Sequence, residues 1–213
     1  MSNSLKIKII DHEDLLDVAG IHLLAFPESI FSKLGIDCVR RYYAWQLISS
    51  DQVYAIGAFR GSELIGYCFG GVFRMALGGF IRKNKGFLIK RLARKPWLIF
   101  HPAFTGKILQ GIRLLLKFTF LKRSVSTSVL QEDKVHFGIL AIASHPASRG
   151  LGVGQLLMED SERFAREHGF ARMRLTVSPK NQNAIQFYEH IDWKKDAAAG
   201  KWQGGMVRDL DHV

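Results

Sequence analysis

Residues 145–155 read HPASRGLGVGQ, with three glycines inside five residues, directly after the apolar run VHFGILAIAS and directly before the helix-like QLLMEDSERFAREHG. A strand is handing over to a helix where the chain is most flexible. Glycines at such a junction let the backbone approach an anion closely, while the first-turn amides, unpaired within the helix, point at it. The arrangement suits a phosphate. Two familiar phosphate loops do not fit. The dinucleotide fingerprint needs a further glycine where this chain has Gln155 or Leu157, and the nucleoside-triphosphate loop needs Gly-Lys-Ser/Thr.

Working outward, LKIKII reads as a short strand, DHEDLLDVAGIHLLAF as a helix beginning near Asp11, and FSKLGIDCVRRYYAWQLIS as a second helix. The Pro-containing FPESIFSKLG connects them. QVYAIGAF and ELIGYCFGGVF, separated by RGS, form a hairpin. After the glycine loop come a helix from about Gly152 to His168, the strand ARMRLTVS, the short helix NQNAIQFYEHI and a closing strand pair in WKKDAAAGKWQGGMVRDL.

The 213 residues, 47% of them hydrophobic, are enough to bury a core as one domain. Cys38 and Cys68 have neither metal-site spacing nor a disulfide framework around them, and read as buried reduced thiols. MSNSLKIKII lacks the apolar core of a signal peptide, and no stretch reaches the roughly 18 apolar residues of a membrane span. The expected location is cytoplasmic.

The net charge of +11 is concentrated. From Leu64 to Gln131 there is no Asp or Glu, against thirteen Lys and Arg. The segment 74–131 interleaves cations with bulky apolar residues. Phe87, Leu88, Arg91 and Leu92 sit at helical spacing, as do Ile108, Ile112, Leu115 and Leu116, with Pro96 and the stretch Pro102 to Gly106 between them. This predicts two short basic amphipathic helices. Three readings stay open: a hairpin packed on its own domain or on a second copy in a homodimer, a helix lying peripherally on the anionic inner membrane face with Trp97, Phe100 and Phe118 as anchors, and nucleic-acid binding. The last is disfavoured because no binding module accompanies the charge.

With these elements in place, Arg149-x-x-Gly152-x-Gly154, preceded by a strand and Pro146, strongly resembles the acetyl-CoA signature of the GNAT family of N-acetyltransferases. Downstream, NQNAIQFYEHIDW resembles that family's second motif, with Asn181, Ala184, Tyr188 and Trp193 at its positions. The resemblance covers residues 5–71 and 132–210. It implies an α/β fold with a mixed, mostly antiparallel sheet flanked by helices. The whole of 1–213 would be one acetyltransferase domain, with 74–131 inserted between its third and fourth strands.

The resemblance further implies direct acetyl transfer from acetyl-CoA, as cosubstrate and without a metal, to a small-molecule amine. Backbone groups of Ile142, Ala143 and Ser144 would pair with the pantetheine arm, and those of Arg149, Gly150, Leu151, Gly152, Val153, Gly154 and Gln155 would hold the pyrophosphate. Asn181 matches a cofactor-contacting position and Tyr188 that of the general acid. Two departures are local: Ser144 stands where the family has a branched aliphatic, and Asp192 replaces glycine in the turn after Tyr188, where Asp tolerates left-handed geometry.

General-base candidates are His136 on the fourth strand, Glu28 in the loop after the first helix, and Glu63 at the start of the third strand. His145 reads as a turn residue. The FPESIFSKLG loop, the RRYYAW helix and the basic insert resemble members linked to bacterial polysaccharide synthesis, whose acceptor would be an amino sugar on a nucleotide or lipid carrier. Proteins, peptides and small amines are the alternative acceptors. A CoA-binding docking module at a membrane or partner is the non-enzymatic alternative.

Overall fold

In the computed structural model, which describes residues 4–49, 52–73, 76–100, 136–196 and 202–210, the chain divides into two units. One comprises residues 1–14, 50–73 and 134–213; the other comprises 15–49 and 74–133.

The first unit is built on a seven-stranded sheet. Its strands are β1 (Leu5–Ile9), β2 (Val53–Arg60), β3 (Glu63–Gly71), β4 (Phe137–Ser144), β5 (Arg172–Thr176), β6 (Lys194–Lys195) and β7 (Gly205–Asp209), in the spatial order β1-β2-β3-β4-β5-β7-β6. Every pairing is antiparallel except β4 with β5. The parallel pair is possible because a helix, Val153–Glu167, crosses between the two strands. Its apolar side carries Val153, Leu157, Met158 and Ala165 into a core with Ile56, Ile65, Cys68, Phe137 and Met173. Truncating Leu157, fully buried there, would cost about 2–5 kcal/mol. Tyr54 on β2 stacks on Phe164 of that helix at 3.9 Å between ring centroids and donates to Asp160 Oδ2 at 2.6 Å.

The described part of the second unit is helical: α1 (Leu15–Ala25), α2 (Ile30–Leu34), α3 (Ile36–Ser49) and α4 (Ala76–Arg94), the last followed by a 3-10 turn at Pro96–Phe100. Buried positions on α1 (Leu15, Val18, Ala19, His22) and on α3 (Cys38, Val39, Tyr42, Tyr43, Gln46) recur at helical spacing. Hence α1 and α3 pack face to face. His22 joins the two, its Nδ1 2.9 Å from Tyr43 Oη, while its Nε2 lies 3.2 Å from Ser29 Oγ. Ser29 in turn caps α2 by accepting from the Ser32 amide at 3.0 Å.

The structure corrects several sequence expectations. The helix expected from Asp11 begins at Leu15, because the Asp11 carboxylate takes the Glu13 amide at 2.7 Å and holds a turn instead. The expected helix through FSKLGIDC is two helices, divided at Gly35, whose φ of +101° no helix accommodates. The expected short helix around Phe87 is the 19-residue α4, kinked at Asn84, where the side-chain amide donates to Phe80 O. Its inner side packs on α3, with Phe80 fully buried against Tyr42 and Phe31 and Gly79 against the Trp45 ring. The second basic helix, around Ile108 to Leu116, lies outside the described residues.

Helices of the sheet unit continue the numbering as α5 (Val153–Glu167) and α6 (Gln182–His190).

Candidate active site

The register of β4 against its two neighbours creates an opening. On one side β4 pairs with β3 from Ser144↔Gly66 to Ala141↔Phe69, then from Ile139↔Gly70 onward. Leu140 is the extra residue, a bulge that bends the strand. On the other side β4 pairs with β5 only at Phe137↔Met173, Gly138↔Arg174 and Ile139↔Leu175. The parallel ladder therefore stops one residue before the bulge. Beyond it β5 keeps to its other neighbour, Thr176 opposite Gly205, and the Val177 amide donates to Gly204 O at 2.9 Å. Among the described residues no strand lies beside the edge of β4 that faces β5 from Leu140 to Ser144, the segment that includes Ile142 and Ala143. A wedge between two strands, lined by unpaired peptide groups, accepts an extended chain carrying amides of its own.

The wedge leads into the glycine loop. His145 donates its amide to Ile65 O at 2.8 Å, and its Nδ1 accepts from the Ala147 amide, capping a 3-10 turn at Pro146–Ser148. His145 is thus a turn residue, as its sequence position suggests. Gly150 and Gly152 hold φ of +79° and +72°, and a Cβ added at either would meet no atom within 4 Å. Gly152 is the N-cap of α5 and has no capping side chain. The first intrahelical bond runs from Leu156 to Gly152 O, so the amides of Val153, Gly154 and Gln155 precede the ladder. Open space, an uncapped helix start and the positive end of a 15-residue helix dipole favour an anion. Gly154 serves a different purpose: a Cβ there would lie 3.2 Å from the Phe187 ring, so its smallness lets α6 approach α5.

Tyr188 sits on α6, mostly buried, its ring beside Phe187 and Trp193. Its hydroxyl makes no hydrogen bond with any described residue. Burial pushes the phenol above its ordinary value, with a smaller contribution from Cys68. Cys68 lies opposite Ile142 in the β3–β4 register, so Tyr188 is within electrostatic reach of the open part of β4. A phenol held protonated there can donate a proton. Both cysteines are buried, and burial pushes each thiol up to about 12, so neither is a nucleophile at neutral pH.

Asn181 caps α6, its side-chain oxygen accepting from the Ala184 amide at 3.2 Å. This leaves its amide nitrogen as the part able to reach a ligand. Asp192 has the left-handed φ of +63° that the turn requires.

Within the sheet unit the base candidates His136 and Glu63 stand at opposite ends of the β3–β4 pair. His136 immediately precedes β4, four residues before Leu140, about 13 Å along an extended strand. Its Nδ1 is buried without a hydrogen-bond partner among the described residues. Glu63 lies in the exposed β2–β3 turn, paired with Arg60 at 3.2 Å. Glu28, exposed ahead of α2, pairs with Lys33 at 3.0 Å.

Sequence reasoning missed the Leu140 bulge, which has no composition signal. It also missed the pair between Arg208 Nε and Glu162 Oε1 at 3.2 Å, which ties β7 to α5. Charges of opposite sign on these two elements were visible, but their meeting was not. Among the described residues no three or more His, Cys, Asp or Glu side chains gather as metal ligands, and no helix is long and apolar enough to cross a membrane.

Comparison with known proteins gives a consistent result. The family model described as "Acetyltransferase (GNAT) family" matches residues 21–193. No curated protein sequence matches significantly. Solved structures do. The paia N-acetyltransferase of Thermoplasma acidophilum, in complex with coenzyme A, is 15% identical with a TM-score of 0.58, covering 97% of this chain and 99% of that one. The ribosomal-protein-S18-alanine N-acetyltransferase of Escherichia coli is 12% identical with a TM-score of 0.57, covering 99% and 96%. A GNAT family acetyltransferase of Brucella melitensis in complex with acetyl-CoA is 11% identical with a TM-score of 0.53, covering 99% and 90%. At these identities the likeness is one of fold.

Proposed function

The chain belongs to the acetyltransferase (GNAT) family and is an acetyl-CoA-dependent N-acetyltransferase; within that activity we propose that its acceptor is the primary amine of an amino sugar carried on a nucleotide or a lipid. The two units are read as one catalytic domain, since the family match runs through both, and the protein as cytoplasmic.

The observation that carries the catalytic reading is the parting of β4 from β5 after Ile139, followed at once by the uncapped start of α5. Peptide groups of Ile142, Ala143 and Ser144 hold the pantetheine arm as an added strand. Amides from Arg149 to Gln155 hold the pyrophosphate, and the Asn181 amide nitrogen makes a further contact. Acetyl-CoA supplies the acetyl thioester. The amine nitrogen bonds to the acetyl carbon, the carbon–sulfur bond breaks, and the amine loses a proton while the departing thiolate gains one. Tyr188 gives that proton. It is suited to do so because burial keeps it protonated and no described residue hydrogen-bonds its hydroxyl. His136 and Glu28 remain the proposed candidates for accepting the amine proton, directly or through water.

The amino-sugar acceptor is supported by charge. Thirteen cations without one carboxylate between Leu64 and Gln131 favour a diphosphate-bearing acceptor over a polycation. The second reading, acetylation of a protein N-terminus, draws on the ribosomal-protein-alanine acetyltransferases among the similar folds. A free-thiol assay with acetyl-CoA against amino-sugar nucleotides, peptides and polyamines, with products identified by mass, separates them. Fast turnover of a peptide and none of an amino-sugar nucleotide would reverse the assignment.

A further inference from the structure

The inner side of α4 is fully used within its own unit. Phe80 and Gly79 pack on α3, Arg41 and Arg91 lie over the Phe87 ring at 4.6 and 5.4 Å, and Arg91 pairs with Asp37. On the outer side Lys83 lies over the Trp45 ring at 5.3 Å, and the other exposed positions have no such partner among the described residues. Exposed positions recur at 82, 83, 85, 86, 89, 90, 93 and 94, the spacing of one helix face, and Trp97 continues it. On this face Ile89 and Trp97 are each 64% exposed. Around them stand Arg82, Lys85, Lys90 and Arg94, none in an ion pair with a described residue.

We infer that the outer face of α4, with Trp97, docks the enzyme onto an anionic lipid surface. Charge complementarity selects the partner: four free cations on one face attract an anionic headgroup layer. Trp97 and Ile89 then give the face its depth. Indole favours the headgroup level, and an aliphatic side chain gains by leaving water for the acyl boundary. A nucleic acid would use the cations but has nothing for an exposed isoleucine. A second copy would bring two faces of like charge together. The inference goes beyond the acetyl-transfer reading and does not depend on the identity of the acceptor.

The test uses the full chain with vesicles of phosphatidylcholine containing about 30% phosphatidylserine and with phosphatidylcholine alone. Binding is expected only to the anionic vesicles and should weaken steeply as salt rises. Lys85→Gln with Lys90→Gln should weaken it about 30-fold. Ile89→Ala with Trp97→Ala should weaken it while leaving the salt dependence in place. Urea unfolding midpoints and acetyl-CoA affinity should be unchanged in both double variants, which shows the proteins folded. Absence of binding to anionic vesicles at low salt overturns the inference, as does binding indifferent to both double variants. Tighter binding to a DNA duplex, or self-association lost in the variants, would overturn it in favour of another partner.

Discussion

The Trp193 amide donates to the Tyr188 carbonyl at 2.9 Å, and the Asp192 amide to Glu189 O at 3.2 Å. With Asp192 in the left-handed conformation these two bonds close α6 as a Schellman motif, and the Trp193 ring folds back near Tyr188. The phenol is thereby fixed through its own backbone and ring, while its hydroxyl has no hydrogen-bond partner among the described residues. Tyr188→Phe should therefore keep the fold and the affinity for acetyl-CoA. Loss of the proton donor should lower kcat by about 100-fold or more. Steady-state kinetics on the favoured acceptor, beside calorimetric titration of acetyl-CoA, checks both halves; unchanged kcat would remove Tyr188 from the chemistry.

Gly152 and Gly154 should respond differently to substitution. Gly152→Ala adds a methyl into open space and costs only the left-handed backbone penalty, about 1–2 kcal/mol. Gly152→Glu adds a carboxylate at the uncapped helix start, where it competes with the pyrophosphate, and acetyl-CoA titration should show no binding. Gly154→Leu should instead destabilise the protein, because its side chain would displace Phe187 and separate α6 from α5. Urea unfolding distinguishes the two effects.

Arg208 and Glu162 form a largely enclosed pair, at 21% and 10% side-chain exposure. Burial raises the Glu162 carboxyl above its ordinary value, and Arg208 offsets part of that. Removing only the guanidinium leaves a carboxylate shielded from water. Arg208→Leu should cost about 3 kcal/mol, and adding Glu162→Leu should restore part of the loss. A double-variant cycle by urea denaturation measures the difference; additive effects would mean that the two side chains act independently.

His22 gives the helical unit a pH dependence of definite sign. Burial lowers its value from 6.5 to about 4. Between those values the unfolded chain binds a proton that the folded chain refuses. The contribution is therefore complete above about pH 6.5 and is lost as pH falls through about 4, amounting to about 3 kcal/mol. Unfolding midpoints of His22→Gln should decline less over this window than those of the parent. Parallel curves would show that His22 titrates normally.

How far the sequence alone reached differs by element. HPASRGLGVGQ carried its own explanation, because φ above zero and a missing side-chain cap are properties of the glycines themselves. NQNAIQFYEHI was likewise legible as one short helix that carries Tyr188, whereas the cap that Asn181 makes on it came only from the structure. Asp192 was legible as a left-handed residue because few other side chains tolerate that conformation. The break at Gly35 was missed because one glycine inside a helical pattern is often tolerated. The full length of α4 was missed because its inward residues are apolar and small at irregular intervals, matched to Trp45 and Tyr42 on α3 rather than to a simple period.

By itself, then, the sequence determined local matters: the order of most strands and helices, which loop has amides to offer an anion, and which segment carries the charge. These depend on neighbours a few residues away. The tertiary structure alone decided that β4 leaves β5 after Ile139, that Leu140 bulges there, and that Tyr188 reaches the region of Cys68 and Ile142. It also decided which side of α4 is spent on α3 and which faces water. Such facts depend on register between strands distant in the chain, and a shift of one residue would turn every side chain of a strand to its opposite face.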